Sequence, residues 1–426
     1  MTNSVNIKYR WAIMLLISLT VFGSYLAYDC IGPIAPMLKS SLGFNSKDIG
    51  FLYSVYSLPN IIMVFLGGIV FDKIGSRKAA IAFTLIMFTG TLIVALAPSI
   101  PISIPFLSSV ITNKALLWML AGRFLFGLGS ESLIVAQSAI IGKWFKEKEL
   151  ALAFGLNLTI SRLGTVAAFM TFGYISEKTK SIDPVLWAGA VICLISVVSV
   201  LIYALLESKT ENKKEEKEEK QDAISFNDIK QFQPSFWYIC ILCCTFYSSV
   251  FPFTAFSTDF LHIKWGLSQD AASKLTALPI TMSMIISPFL GALVDKIGKR
   301  GTFMIAGSIL ILPVFLLLTL TDIPVWIPMV MLGAAFSLVP SALWPAVPLI
   351  TKEKLLGTAY GLITMIQNIG LTVFPFVIGY FYDKTDNYNY SMLVLTVLSL
   401  TALVFSIFLY KSNVSVLESG KIRPNI

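Results

Sequence analysis

Charge is scarce in this chain: Asp, Glu, Lys and Arg together fill 13% of its 426 positions. An ordinary soluble domain carries about 25%, so a water-soluble globular protein is excluded. Histidine is scarcer still, with one residue, His262, at a helix end where a solvated role is expected. The five cysteines all lie in apolar runs. Cys240, Cys243 and Cys244 have metal-site spacing on paper, but they share one apolar stretch with no histidine beside it. No metal and no cofactor are therefore expected. With no nucleophile elbow and no metal constellation, neither is an enzyme. The first apolar run is far too long for a signal-peptide core, and no cleavage pattern follows it. The net charge of +8 does not point to nucleic acid, because the basic residues sit in loops between apolar runs.

What the chain has is hydrophobic length. Hydrophobic residues make up 56% of it, and the mean hydropathy is +0.78. Twelve apolar spans can be drawn, at 11–38, 48–71, 79–98, 115–141, 150–172, 185–206, 236–261, 270–294, 301–320, 325–350, 356–381 and 390–410. All are expected to be helical, because lipid offers the backbone no other hydrogen-bond partner. From Lys209 to Asp222 acids and bases alternate with nothing apolar to bury, which marks a solvated linker. The chain thus divides into an N-terminal six-helix bundle (1–206), a linker (207–235) and a C-terminal six-helix bundle (236–426). Ser225 to Gln233, closed by Pro234, reads as a short helix on the membrane surface. The expected fold is an all-α membrane protein of twelve transmembrane helices in two bundles. Lys and Arg concentrate in the N-tail, the even-to-odd loops, the linker and the C-tail, which places both termini in the cytoplasm.

The halves repeat. Gly68-Ile-Val-Phe-Asp72-Lys-Ile-Gly75-Ser-Arg77-Lys78 ends the second span, and Gly291-Ala-Leu-Val-Asp295-Lys-Ile-Gly298-Lys-Arg300 ends the eighth. Ala153-Phe-Gly-Leu…Arg162-Leu-Gly164 matches Ala359-Tyr-Gly-Leu…Asn368-Ile-Gly370 at an offset of 206, which still holds at Gly173 and Gly379. Six spans repeated in one orientation suit a pore or transporter with its site between the halves. In the first loop Gly68 allows close helix approach and Gly75 a sharp turn. Asp72, an anion at a helix C-terminus, needs a partner such as Arg77 or a neighbouring helix N-terminus.

Two charges lie deep. Glu131 falls about 15 Å and Arg162 about 18 Å from the loop joining their spans, both near the midplane. An ionised side chain there costs about 2.5–3.5 kcal/mol or more, so it is partnered or faces a wet cavity. The pair is either a structural lock between two helices or two fixed charges awaiting a substrate of both signs; the second reading is favoured. Asp29 sits mid-span beside Tyr25 and Tyr28, as a proton or substrate site. Tyr53, near a helix end, reads as an interfacial anchor and Tyr56 as a deeper residue. Tyr247, Phe251 and Trp344 offer flat walls for a variable side chain, and Gln367 and Asn368 put amides where the first half has charge.

The loop at 68–78 and its copy at 291–300 resemble the signature of the major facilitator superfamily, and Arg123 in Gly-Arg-Phe-Leu-Phe-Gly-Leu-Gly matches that superfamily's fourth-helix motif. The resemblance covers the whole chain. It implies two bundles rocking around a central cavity, with Asp72 latching a cytoplasmic gate. Within the superfamily, Phe22-Gly-Ser-Tyr25-Leu-Ala-Tyr28-Asp29, Gly129-Ser-Glu131-Ser-Leu-Ile-Val-Ala-Gln137, Ser161-Arg162-Leu-Gly, Tyr247-Ser-Ser-Val-Phe251 and Leu343-Trp344-Pro-Ala-Val-Pro look like the lysosomal dipeptide uniporter branch. That likeness implies that Glu131 and Arg162 hold a dipeptide's amino and carboxyl ends, that Trp344 lines the pocket and that Tyr56 faces the cavity. The chain departs from the animal members in its short N-tail without a dileucine signal. Its sequons Asn157-Leu-Thr and Asn413-Val-Ser fall inside a span and on the cytoplasmic side. The expectation is therefore the cell membrane rather than the lysosomal one, without the branch's accessory glycoprotein; a monomer is also expected. The leading reading is dipeptide uniport. The alternative is a proton-coupled carrier of organic anions or drugs that protonates Asp29, Arg123 or Glu131.

Overall fold

The computed structural model describes residues 2–102, 111–145, 149–211, 231–352, 355–412 and 417. Among them are fourteen α-helices and no strands. They are α1 (Thr2–Tyr28), α2 (Ala35–Leu42), α3 (Ser46–Ser57), α4 (Asn60–Ile74), α5 (Ser76–Leu96), α6 (Lys114–Phe145), α7 (Leu150–Thr179), α8 (Asp183–Glu211), α9 (Pro234–Trp265), α10 (Gln269–Ile297), α11 (Arg300–Leu320), α12 (Trp326–Ile350), α13 (Leu356–Thr385) and α14 (Asn389–Ser412). Eleven spans built from them are long and apolar enough to cross a membrane. The remaining span expected from the sequence, 48–71, is carried by α3 and α4. The helix breaks at Leu58 and Pro59, where the proline ring takes away a backbone donor. The first span also breaks: α1 stops at Tyr28, a 3₁₀ turn covers Gly32–Ile34, and α2 resumes at Ala35. Asp29 therefore stands at a helix end inside the span rather than within a helix.

The chain forms two compact units: residues 1–44, 55–220 and 267–273, and residues 45–54, 221–266 and 274–426. In the first, α1 packs on α7 and α8, α5 packs on α6 and α8, and α4 lies on α6. In the second, α9 packs on α13 and α14, and α11 on α12 and α14. The second pattern is the first one repeated. The glycines matched at offset 206 show why. A Cβ on Gly164 would stand 2.2 Å from the Phe22 carbonyl oxygen of α1, and one on Gly370 would stand 2.1 Å from the Ser248 hydroxyl of α9. The first half needs a bare α-carbon there to seat its first helix against backbone, and in the second half the first helix approaches as closely through side chains. The acids matched at that offset also do the same work. Asp383 accepts the backbone N–H groups of Ser46 (2.8 Å) and Lys47 (2.7 Å) at the start of α3, and Glu177 accepts that of Asp270 (3.0 Å) at the start of α10. A carboxylate suits a helix N-terminus, where unpaired N–H groups carry partial positive charge.

Gly164→Ala should therefore lower the unfolding midpoint by the equivalent of about 1–3 kcal/mol of overpacking. Gly155→Ala, on the same helix with open space where its Cβ would go, should leave it unchanged. Equal midpoints for the two variants in detergent would contradict the packing described.

Several expectations need correction. Tyr53, read as an interfacial anchor, is 1% exposed, because the first turns of α3 pack inward in the second unit. The sixth span continues beyond 206 as α8, and Glu207, assigned to the linker from sequence, is buried. It accepts hydrogen bonds from Ser76 (3.1 Å) and Tyr203 (2.5 Å) and pairs with Lys143 at 3.4 Å. A third sequon, Asn389-Tyr-Ser391, opens α14, with Asn389 exposed and the Ser391 hydroxyl donating to the Ile378 carbonyl. The linker core and residues 225–230 of the surface helix expected at Ser225–Gln233 lie outside the described residues.

Candidate functional site

The break in α1 leaves its last carbonyls without helical partners, inside a span where water cannot supply one. Arg123, from the first third of α6, answers this. It is 1% exposed and donates from Nη1 to the carbonyls of Tyr28 (3.1 Å) and Ala27 (3.4 Å). Its guanidinium also stands over the rings of Tyr28 (5.0 Å), Tyr56 (5.2 Å) and Phe126 (5.4 Å). A cation is the complement a helix C-terminus requires. Next to the break, Asp29 is 6% exposed, accepts the Thr165 hydroxyl of α7 at 2.6 Å and lies within electrostatic reach of Arg123. Asp29 and Arg123 thus offset one another around the end of α1.

The other two deep charges are placed differently. Glu131 on α6 is half-buried, and its Oε1 accepts the Tyr56 hydroxyl at 3.2 Å. Among the described residues that is its one hydrogen-bond partner, and no basic side chain pairs with it. The Glu131–Arg162 lock between helices is therefore not formed here. Arg162 on α7 is also half-buried, and both charges fall within electrostatic reach of Tyr25 on α1. Five of the residues singled out from the sequence, Tyr25, Asp29, Tyr56, Glu131 and Arg162, thus gather in the first unit.

The other four gather in the second. The Trp344 indole N–H donates to the Tyr247 hydroxyl at 2.9 Å, Phe251 stacks on Tyr247 at 5.8 Å and 11°, and Phe336 closes edge-on against both rings. Tyr360 stacks on Trp344 at 6.1 Å and 25° and donates to its carbonyl at 3.3 Å. Gln367 accepts the Cys243 thiol at 3.6 Å, while the Asn368 amide turns back to the Thr364 carbonyl at 3.0 Å. Asn368 occupies the position that Arg162 holds in the first half and is spent on its own helix. Reasoning from sequence missed Tyr360 and Phe336 in this aromatic wall, and Ser24, Ser130 and Thr165 around the charges. Tyr360 carried a signal, since it stands inside the repeated Ala-Tyr-Gly-Leu.

Of the gate residues, Gly75 has φ +81° between α4 and α5, and its copy Gly298 has φ +83°, so both turns need a residue without a side chain. Gly68 does not supply the close approach expected of it. Among the described residues nothing lies within 4 Å of where its Cβ would be, and it is Gly67 that faces Ser132 of α6 at 3.3 Å. One step along a helix turns a residue by 100°, enough to move the contact to its neighbour. Arg77 is half-buried, and the side chains of Asp72 and Asp295 lie outside the described residues.

The family model described as Major Facilitator Superfamily matches residues 17–375 and 240–423. The chain belongs to the major facilitator superfamily. Within it the chain is similar to the lysosomal dipeptide transporter MFSD1 of Bos taurus, 33% identical over 390 residues that cover 89% of this chain and 80% of the relative. The Gallus gallus protein of the same name is 30% identical over 417 residues, covering 96% and 86%. Among solved structures, a point mutant of the nucleoside transporter NupG aligns with a TM-score of 0.72 over 94% of this chain and 100% of its own, at 14% identity. That likeness speaks to the superfamily's fold alone. The chain is a multi-pass membrane transporter, not an enzyme.

Proposed function

We propose that this transporter carries small zwitterionic peptides, dipeptides above all, by uniport through alternating access. The observation that carries the reading is the Glu131 carboxylate: half-buried, held by one neutral hydroxyl and unpaired with any described base. A desolvated anion left in that state is stabilised when a cation arrives. A dipeptide brings an ammonium for Glu131 and, roughly 5–7 Å away across one extended peptide unit, a carboxylate for Arg162. The aromatic wall of Tyr247, Phe251, Trp344 and Tyr360 suits side chains of many shapes. Relatives that carry the dipeptide-transporter name at 30–33% identity support the same reading.

The charges support uniport. Asp29 and Arg123 offset each other, and the substrate's two ends neutralise Glu131 and Arg162, so no group needs a proton to complete the cycle. Uptake of leucyl-alanine into proteoliposomes should proceed equally with and without a pH gradient. A several-fold gain from an inward proton gradient, lost in Asp29→Asn, would establish the coupled alternative. For the gate, Asp72→Asn should slow exchange while leaving ligand affinity near normal; equal losses of both would move Asp72 from the gate to the binding site or the fold. The Lys and Arg bias supports a cytoplasmic side for both termini and the linker.

A further inference from the structure

Behind Glu131 runs a line of hydroxyls that the binding reading does not use. Ser24 on α1 and Ser130 on α6 are both fully buried and hydrogen-bonded to each other. The Ser130 hydroxyl lies 2.9 Å from that of Tyr56, which in turn reaches Glu131 Oε1 at 3.2 Å. An ionised carboxylate only accepts, so Tyr56 must donate to it. The Tyr56 oxygen then accepts from Ser130, and the Ser130 oxygen from Ser24. Every proton in the row points toward Glu131, and such chains strengthen link by link.

We propose that Ser130 is a positioning residue for ammonium recognition, fixing the Tyr56 hydroxyl so that its proton stays on Glu131 Oε1. This rests on the reading that Glu131 takes the substrate's ammonium. Of roughly four lone-pair sites on the carboxylate, Tyr56 occupies one and turns the rest to the ligand. The ligand must therefore bring N–H donors. Primary amines fit, and so do the secondary amines of peptides that begin with proline, whereas a trimethylated amino end has no proton to give.

The test is a double-mutant cycle on the purified full chain, with leucyl-alanine as probe and calorimetry as readout. Tyr56→Phe should weaken binding about ten-fold, and Ser130→Ala about five-fold, because the carboxylate loses the pre-organisation that turns its free lone pairs to the ligand. The double variant should bind no worse than Tyr56→Phe alone, because Ser130 acts through that hydroxyl. N-acetyl-leucyl-alanine, which lacks the ammonium, should bind wild type and Ser130→Ala equally weakly; a merely structural defect would lower both ligands together. Additive losses in the double variant, or wild-type affinity in Ser130→Ala, would overturn the role of Ser130 while leaving Glu131 as the ammonium site. Wild-type protein that binds the acetylated and free peptides alike would overturn the reading of Glu131, and the proposal with it.

Discussion

Arg162→Lys and Glu131→Gln are each expected to weaken dipeptide binding by roughly thirty- to several-thousand-fold, the equivalent of about 2–5 kcal/mol for removing one partner of a desolvated charge pair. Lys keeps the charge at Arg162 but not the two parallel N–H groups that grip a carboxylate, so a conservative change there should cost nearly as much as a drastic one. Gln keeps the shape of Glu131 and the Tyr56 hydrogen bond but not the charge that an ammonium needs. Both side chains are half-buried and each substitution nearly keeps the side chain's length, so each variant should still fold. Calorimetry with leucyl-alanine checks the affinity, and an unfolding scan without ligand checks the fold. Near-wild-type affinity in either variant would mean that the pair is not the recognition site.

The largest loss of stability is expected at Arg123. Arg123→Met would leave the carbonyls of Ala27 and Tyr28 without their donor at the end of α1. Hydrogen bonds from a charged group are worth about 1.5–3 kcal/mol each, and within a span no water replaces them. A loss of about 2–5 kcal/mol should appear as a large fall in the unfolding midpoint, or as failure to reach the membrane. Arg123→Lys keeps the cation at the helix C-terminus and should recover part of that loss. An unchanged midpoint for Arg123→Met would show that the α1 break is satisfied in another way. The same geometry weighs against Arg123 as the titrating group of a proton-coupled carrier, since its guanidinium is already committed to the backbone.

The spans, the repeat and the deep charges were legible because each follows from composition and spacing alone. Lipid forces helices, the offset of 206 recurs in Gly164 and Gly370, and an acid and a base at midplane depth are conspicuous in an apolar chain. The break after Tyr28 was partly legible: Gly32-Pro33 is a helix-ending pair, but a continuous apolar run hid it. Arg123's task was hidden with it, because the carbonyls it serves exist only once α1 stops. Ser130 gave no signal, as a serine in an apolar helix bonds its own backbone in most cases, and only Tyr56 arriving from α3 gives it another role. Glu207 misled for a similar reason. A glutamate beside a charged linker reads as solvated until Ser76, Tyr203 and Lys143 are brought around it by the fold.

The central claim is that two fixed charges recognise both ends of one peptide. It is tested most directly by calorimetry on wild-type protein with three ligands: leucyl-alanine, its N-acetyl form and its C-terminal amide. Each blocked ligand keeps the side chains and loses one end charge. Binding of the free dipeptide with both blocked forms weakened at least thirty-fold, equivalent to about 2 kcal/mol per end, is the predicted result. Blocked and free peptides binding with equal affinity would contradict it, and would leave Glu131 and Arg162 as charges serving the fold.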